Sequence, residues 1–197
     1  GLDPATNDTV GVAPGAEWIA ARGASGTAGN IASFQWALDP DGNPNTTDDM
    51  PCVINNSYRD PSVTTECDPA LNPYIDVIGA LEAAGVAVIW SAGNSGPGAS
   101  TVTPPKNVNL DLVGFWATGA LNGNTPSFPI ANFSSRGPVV SECLTGNTSL
   151  DIKPEASAPG VSVRSSQFNG YGFLSGTSMA APHVSGAIAL LKEAHPN

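Results

Sequence analysis

Short apolar runs alternate with longer amphipathic stretches along most of this chain. Residues 17–21, 53–57 and 86–90 have the length and composition of buried strands. The run at 86–90 is apolar at nearly every position, which is typical of a parallel strand covered on both faces. A further strand is predicted near 112–114. The alternation predicts strand–helix–strand units around a mostly parallel sheet, and hence an α/β fold.

Two stretches between these runs have apolar residues at helical spacing. The first has one apolar face formed by Ile31, Phe34 and Leu38. The second has an apolar stripe formed by Tyr74, Val77, Ile78, Leu81 and Ala84. Pro73 stands near the start of this second helix, where a missing N–H costs little. Gly85 follows the stripe and is a suitable C-terminal cap.

The composition is that of an acidic globular protein. The chain has 197 residues, enough for one domain, and 7 Lys plus Arg against 17 Asp plus Glu give a net charge of −10. Such a surface repels nucleic acid and anionic membranes, and no apolar stretch approaches the length of a membrane span. We therefore expect neither nucleic acid nor a membrane as a partner. The acidic, lysine-poor composition favours an exported protein.

Three cysteines allow three different single disulfides, each leaving one free thiol. We favour a bridge between Cys52 and Cys67, which would close a short, turn-rich loop. Free buried thiols are the alternative.

A polar, turn-rich segment at 39–49 raises the question of a metal. Its residues that alternate as ligands do in calcium loops are Asp39, Asp41, Asn43 and Asn45. Gly42 is misplaced for an EF-hand, however, and no bidentate Glu follows. We expect a solvated acidic loop without a metal or other cofactor, and calcium is the weaker alternative.

The strongest chemical signal lies at the start of a final predicted helix, at about 178–194. The string there reads Gly176-Thr177-Ser178-Met179-Ala180-Ala181-Pro182-His183-Val184-Ser185-Gly186. Ser178 would stand in the first helical turn, where unpaired N–H groups and the helix dipole favour a developing negative charge. Pro182 is tolerated because it lies within that first turn or so. An isolated serine in this position would usually be a helix cap, but the complete string indicates a nucleophile.

This string resembles the nucleophile motif of the subtilisin-like serine peptidases. It is not the Gly-x-Ser-x-Gly elbow, because Ala180 occupies the second glycine position. Further segments that resemble the same family, in the same order, are 11–16, 91–94, 132–138 and 153–160. The resemblance therefore covers nearly the whole chain and identifies residues 1–197 as a partial subtilisin-like peptidase domain. It implies a three-layer α/β fold with a mostly parallel sheet, truncated at both ends.

The resemblance also implies roles for individual residues. Ser178 Oγ would attack the scissile carbonyl to form an acyl-enzyme. Asn94 would donate its side-chain amide to the oxyanion, together with the backbone N–H of Ser178. An extended polypeptide substrate would pair with two segments like an added strand. These substrate-binding segments are Ser57, Tyr58 and Arg59, and Ser91, Ala92 and Gly93.

Arg59 departs from the family, which usually has glycine at this place. One hypothesis is that Arg59 narrows the pocket or favours acidic substrate side chains. The alternative is that its guanidinium turns to solvent and pairs with Asp60.

Neither histidine is placed to act as the base that a serine nucleophile needs. His183 follows Ser178 by five residues on the same helix, so its side chain points about 140° away. His195 lies more than four helical turns along. The family's Asp and His segments belong before Gly1, and its closing helices follow the position of Asn197. We therefore expect an internal fragment of a secreted serine endopeptidase, inactive alone.

A non-catalytic relative, acting as a peptide-binding or scaffold domain, is the alternative. In the family the first, missing strand lies in the middle of the sheet. The strand predicted at 17–21 would then either fill the place of the missing strand or pair with another chain. If it pairs with another chain, we expect the fragment to self-associate.

Overall fold

Four parallel strands form the central sheet of the computed structural model, which describes residues 2–22, 26–63, 67–108, 110–111, 113–139, 143 and 148–196. In chain order the elements are β1 (Leu2–Asp3), β2 (Asp8–Thr9), α1 (Thr27–Trp36), β3 (Val53–Asn56), α2 (Tyr74–Ala83), β4 (Ala87–Ser91), β5 (Trp116–Leu121), a 3₁₀ turn (Thr148–Asp151), β6 (Ala156–Pro159), β7 (Val163–Gln167), β8 (Gly170–Leu174) and α3 (Thr177–Ala194). The central sheet has the order β3–β4–β5–β6. The pairs β1–β2 and β7–β8 are antiparallel. The predicted α/β fold with a mostly parallel sheet is confirmed.

The helices lie on both faces of this sheet. Trp90 of β4 packs against Tyr74 of α2, with ring centroids 5.9 Å apart, and α2 in turn packs on α1. Trp90 is in register with Ala117 of β5. Ala120, three residues further along β5, therefore faces the other side, where it clusters with Ala180 of α3. The sheet thus lies between α1 and α2 on one face and α3 on the other, which gives three layers.

Helices α1 and α2 form where the apolar spacing predicts them. Most of the predicted apolar positions are buried or packed against one core: Ile31, Phe34, Leu38, Tyr74, Val77, Ile78 and Leu81. Gly85 ends α2 with a φ of 83°, a left-handed conformation that suits a residue without Cβ. Its N–H donates to Glu82 and the N–H of Val86 donates to Leu81, both at 2.9 Å. These are the two bonds of a Schellman motif, so the predicted cap is confirmed.

The strand predicted at 17–21 is wrong. These residues have no regular secondary structure, and Trp18 and Ile19 are 83% and 50% exposed. An extended apolar run becomes a strand only when a neighbour supplies its hydrogen bonds, and within the described ranges this run has no such neighbour. Strand β3 is instead one of the two edges of the sheet, and its outer side is unpaired within the described residues. Self-association through an unpaired strand stays a prediction, and it now concerns β3.

The strand predicted near 112–114 is also misplaced. Leu112 lies outside the described residues, and Val113 and Gly114 belong to a turn that precedes β5. The Asp111 carboxylate accepts hydrogen bonds from both backbone N–H groups, at 2.8 and 2.5 Å. A short acidic side chain that bonds the following backbone favours a turn over a strand.

The disulfide joins Cys67 and Cys143, so the favoured bridge between Cys52 and Cys67 is wrong. Cys52 is exposed and its thiol is free. It directly precedes β3, and its carbonyl oxygen accepts from the N–H of Ala87, 3.1 Å away, at the start of β4. This position ties Cys52 to the sheet. The actual bridge connects the segment after β3 with the segment after β5, and a closed loop of this size restricts the unfolded chain strongly.

Candidate active site

The carboxyl ends of β3 and β4 meet the amino end of α3 at one edge of the sheet. Because β3 and β4 are parallel and in register, the residues after both strands emerge side by side. Helix α3 contacts all four strands of the central sheet and begins at Thr177. Ligands of open α/β sheets bind at this edge. The predicted nucleophile and both predicted substrate segments are located here.

Ser178 is half-buried at the second residue of α3. Its Oγ lies 3.4 Å from the carbonyl oxygen of Ser57, and the Ser57 Oγ donates to the carbonyl oxygen of Ser178 at 3.0 Å. These reciprocal contacts hold the predicted nucleophile against the predicted substrate segment at 57–59. The first turn of a helix also leaves backbone N–H groups without helical partners, which favours negative charge near Ser178.

Asn94 is held in one orientation by Thr177. The Asn94 Oδ1 accepts from both the backbone N–H and the Oγ1 hydroxyl of Thr177, each at 2.9 Å. A backbone N–H can only donate, so the atom it meets is the side-chain oxygen, and the Nδ2 amide is left as the donor. Thr177 Oγ1 also accepts from the N–H of Gly93 at 3.0 Å. The predicted oxyanion donor is therefore fixed by the residue that precedes the predicted nucleophile.

Gly176 completes this arrangement, and sequence reasoning assigned no role to it or to Thr177. Gly176 has a φ of 156°, and a Cβ on it would lie 3.3 Å from the Asn94 Nδ2. A larger residue would therefore crowd the amide. Both residues belong to the string at 176–186 that indicates the nucleophile, and this is the one sequence signal that could have pointed to them. Their contact with Asn94 spans more than eighty residues and is visible only in the fold.

In the two predicted substrate segments Tyr58, Ser91 and Ala92 turn their side chains inward, whereas Arg59 is exposed. The Tyr58 ring lies 5.3 Å from that of Trp90, and burial raises the pKa of Tyr58 to about 12. Ser91 and Ala92 are buried, at 3% and 0% exposure. Side chains that point into the core leave the backbone as the surface that a substrate would meet, as strand addition requires.

Arg59 is exposed, but it does not pair with Asp60. The Asp60 carboxylate is buried and accepts from Thr27 Oγ1 at 2.7 Å and from Tyr74 Oη at 2.8 Å. Burial by itself would raise the pKa of Asp60, but these and other hydrogen bonds hold it below its usual value. The proposed pairing of Arg59 with Asp60 is therefore wrong. The reason is that Asp60 is already satisfied by neutral donors.

No base for Ser178 is present in the part of the chain that the structure describes. The Nδ1 of His183 lies 2.8 Å from the carbonyl oxygen of Met179, so this ring is bonded to its own helix. His195 is exposed at the end of α3, where its backbone N–H donates to Leu191. The site therefore combines a nucleophile, an oriented amide and a backbone surface, but neither described histidine is bonded to the nucleophile.

An acidic cluster lies apart from this site, in the segment at 39–49. One oxygen from each of Asp39, Asp41 and Asp49 lies within 4.8 Å of the others. The Oδ1 atoms of Asp39 and Asp49 are buried and have no hydrogen-bond partner. Anionic oxygens that are buried without donors, at this separation, suit a hard cation.

The ligand set differs from the alternating one considered from sequence. Asn43 Oδ1 accepts from the backbone N–H and the side-chain amide of Asn45, at 3.3 and 3.2 Å, so these two residues bond to each other. Asp49 replaces them in the cluster, because its Oδ2 accepts from the N–H of Asp41 at 2.7 Å and folds the loop back.

Among the described residues, no helix has the length and apolar character needed to cross a membrane.

Known proteins with similar sequences show the family of this chain. The model of the subtilase family matches residues 2–197. Bacillopeptidase F of Bacillus subtilis (strain 168) is 37% identical over 211 residues, which cover 99% of this chain and 13% of that protein. Subtilisin Savinase of Lederbergia lenta is 36% identical over 191 residues, which cover 95% of this chain and 58% of that protein.

Two solved structures have the same fold. The S41 Psychrophilic Protease matches with a TM-score of 0.61 and 30% identity, over 89% of this chain and 52% of that one. Sphericase matches with a TM-score of 0.62 and 29% identity, over 85% of this chain and 49% of that one. The chain thus spans about half the length of these two structures. The predicted three-layer subtilisin-like fold is confirmed, and the chain belongs to the subtilase family of serine peptidases.

Proposed function

We propose that this chain carries the nucleophile of a serine endopeptidase, which hydrolyses peptide bonds through an acyl-enzyme on Ser178. The observation that carries the proposal is the joint geometry of Ser178 and Asn94. The hydroxyl stands at a helix start beside the substrate segment, and Thr177 leaves the Asn94 amide as a donor. A domain that only binds peptides has no need for this combination.

The mechanism follows from the placement of these groups. An extended polypeptide pairs with the backbone at 57–59 and 91–93, which presents one carbonyl carbon to Ser178 Oγ. Attack forms a tetrahedral intermediate, whose oxyanion accepts from the Asn94 amide and the Ser178 N–H. Collapse releases the amine product and leaves the acyl group on Ser178, and water then hydrolyses the ester.

The hydroxyl proton must go to an imidazole, which then donates it to the leaving amine, because a serine is a weak nucleophile at its ordinary pKa. Neither described histidine is bonded to Ser178, so we propose that another part of the complete protein supplies this base, and that the present chain alone is inactive. We also place the protein outside the cell. The Cys67–Cys143 disulfide supports this location, because such bridges persist in oxidising compartments.

Pre-steady-state hydrolysis tests the proposed function. We expect the complete protein to release a burst of leaving group from an activated peptide ester, with an amplitude equal to the enzyme concentration. It should also cut a peptide blocked at both ends, as an endopeptidase does. The present chain should give no burst. If the complete protein hydrolyses neither compound, the fold serves as a non-catalytic peptide-binding or scaffold domain.

The acidic cluster is the second part of the proposal. Asp39, Asp41 and Asp49 fit Ca²⁺, because one oxygen from each lies within 4.8 Å of the others and the Oδ1 atoms of Asp39 and Asp49 are buried without a donor. A bound Ca²⁺ would offset two of the three negative charges and fix the connection between α1 and β3. The effect is on stability, since the cluster is separate from the residues around Ser178.

Thermal unfolding measures this effect. At a Ca²⁺ concentration about 100 times its Kd, binding should raise Tm by roughly 5–10 °C relative to EDTA. Asp49→Asn keeps the acceptor for the Asp41 N–H but removes a charge, so it should abolish most of the shift. Asp48→Asn is the matched control, because Asp48 is exposed and lies outside the cluster. Equal shifts in both variants, or none in the wild type, would exclude calcium at this cluster.

A further inference from the structure

Lys106 is buried directly behind the substrate segment. It is 1% exposed, and its Nζ donates to the carbonyl oxygen of Tyr58 at 3.1 Å. Buried ammonium groups are almost always paired with carboxylates, because burying an isolated charge is costly. No carboxylate within the described ranges forms an ion pair with Lys106. Its positive charge therefore has no counter-ion in this part of the chain.

The other buried lysine shows the usual arrangement. Lys153 is 5% exposed, donates to the carbonyl oxygen of Phe115 at 2.8 Å and forms an ion pair with Glu155. Glu155 cancels the charge of Lys153. Among the described residues Lys106 has only a neutral carbonyl as its partner, so in this part of the chain the positive charge on the inner side of the substrate segment is uncompensated.

Arg59 adds a second positive charge on the outer side of the same segment. It directly follows Tyr58 and is exposed. Burial is the first cause that lowers the pKa of Lys106, to about 8, and the charge of Arg59 is the second. The Lys106 Nζ bonds the carbonyl oxygen of Tyr58, the residue directly before Arg59, so the two cations lie near each other. Asp60 is the neighbouring anion, but its carboxylate is buried and bonded to Thr27, Tyr74 and Ser62.

We infer that Arg59 and Lys106 make the cleft beside Ser178 select polypeptides with a Glu or Asp side chain at the residue whose carbonyl is attacked. The inference rests on the proposed function. Ser57 contacts Ser178, so the substrate residue that pairs with Ser57 is the one at the scissile bond, and the long side chain of Arg59 starts two residues along the same segment. Arg59 is exposed and forms the direct ion pair. Lys106 is buried, so it acts through the electric field of its ammonium group and by holding the Tyr58 carbonyl oxygen in place.

The net negative charge of the chain makes the positive charges of Arg59 and Lys106 selective for acidic side chains at one place. Only 7 residues are Lys or Arg, against 17 Asp and Glu, so most of the surface repels acidic peptides. A positive cleft in such a surface attracts an acidic side chain to one place. It also selects against Lys and Arg at the same position, because a third cation there would be repelled.

Matched peptides test the inference in the complete protein. We expect kcat/KM for a peptide with Glu at the scissile residue to exceed that for its Gln counterpart by about tenfold, since this corresponds to roughly one partly screened ion pair. Arg59→Gln should lower this ratio to about two, and Lys106→Met should lower it by a smaller factor. Arg59→Lys should retain most of it. Lys192→Gln removes an exposed charge on α3 and should leave the ratio unchanged.

The outcomes separate this inference from the proposed function. A ratio of one in the wild type, or an unchanged ratio in Arg59→Gln, overturns the inference while the peptidase function stands. Arg59 is on the surface, so its variant remains decisive if Lys106→Met does not fold. If the complete protein cleaves neither peptide, fluorescence anisotropy on its Ser178→Ala variant decides. Tighter binding of the Glu peptide than of the Gln peptide then supports the inference without the peptidase function. Equal binding, or no binding, overturns both the inference and the proposed function.

Discussion

Replacing Ser178 by alanine in the complete protein should lower kcat for peptide hydrolysis by about 10⁶-fold, a figure that is known from a subtilisin and therefore from this family. The loss is large because the acyl-enzyme requires an oxygen at this position. KM should change little, because the hydroxyl contacts the backbone of Ser57 and does not fill the substrate cleft. Steady-state kinetics with an end-blocked peptide would measure both constants.

Ser185 provides the matched control for this substitution. It is a buried serine on the same helix, and its hydroxyl bonds to the carbonyl oxygen of Ala181 at 3.2 Å. Ser185→Ala should therefore leave kcat within about threefold of the wild type, at a stability cost of about 1 kcal/mol. A kcat in Ser178→Ala that stays above about 1% of the wild-type value would contradict the nucleophile assignment.

Replacing Asn94 by alanine should lower kcat by about 10²–10³-fold, again a magnitude taken from a subtilisin. The amide serves an oxyanion that exists only in the transition state, so kcat and kcat/KM should fall together. Asn94→Asp is the sharper variant, because a carboxylate keeps the acceptor for Thr177 but has no donor. It should be at least as impaired while its stability changes little.

Thr177→Val tests whether the threonine acts through Asn94. It removes the hydroxyl that bonds Asn94 and Gly93 but keeps the backbone N–H, so we expect a loss of about tenfold in kcat. In the background of Asn94→Ala the same change should cost little more, since the amide that it orients is gone. Additive losses in the double variant, or losses confined to KM, would contradict this positioning role.

The elements that could be predicted from the sequence are those with strong local periodicity. Helix α2 depends on residues that are close in the chain, such as Leu81 in its apolar stripe and the cap at Gly85, and strand β4 has a nearly continuous apolar run. Residues 17–21 are as apolar as a strand, but they have no neighbour in the described sheet. Strand β6 differs from residues 17–21 in the opposite sense, because its sequence does not resemble a strand. It is a short segment of small residues that ends in proline, and it becomes a strand through its pairing with β5.

The candidate site also contains residues that could be predicted from the sequence and contacts that could not. Ser178 could be predicted because its signal is one continuous string, and Asn94 because it lies in a recognisable loop. The contact that orients Asn94 joins residues 83 apart, and the one that places Lys106 behind Tyr58 joins residues 48 apart. Asp49 enters the acidic cluster through a hydrogen bond to the Asp41 backbone eight residues away. No local pattern reports such pairings, because they arise from the path of the loops between the elements.

Covalent labelling with a fluorophosphonate, followed by mass spectrometry of the digested protein, tests the central claim most directly. The claim is that the hydroxyl of Ser178 is activated by a base outside the described residues. We expect the complete protein to carry the adduct on the peptide that contains Ser178, and the isolated chain of 197 residues to remain unlabelled under the same conditions. Labelling of the isolated chain at a comparable rate, or an adduct on a different serine of the complete protein, would contradict the account.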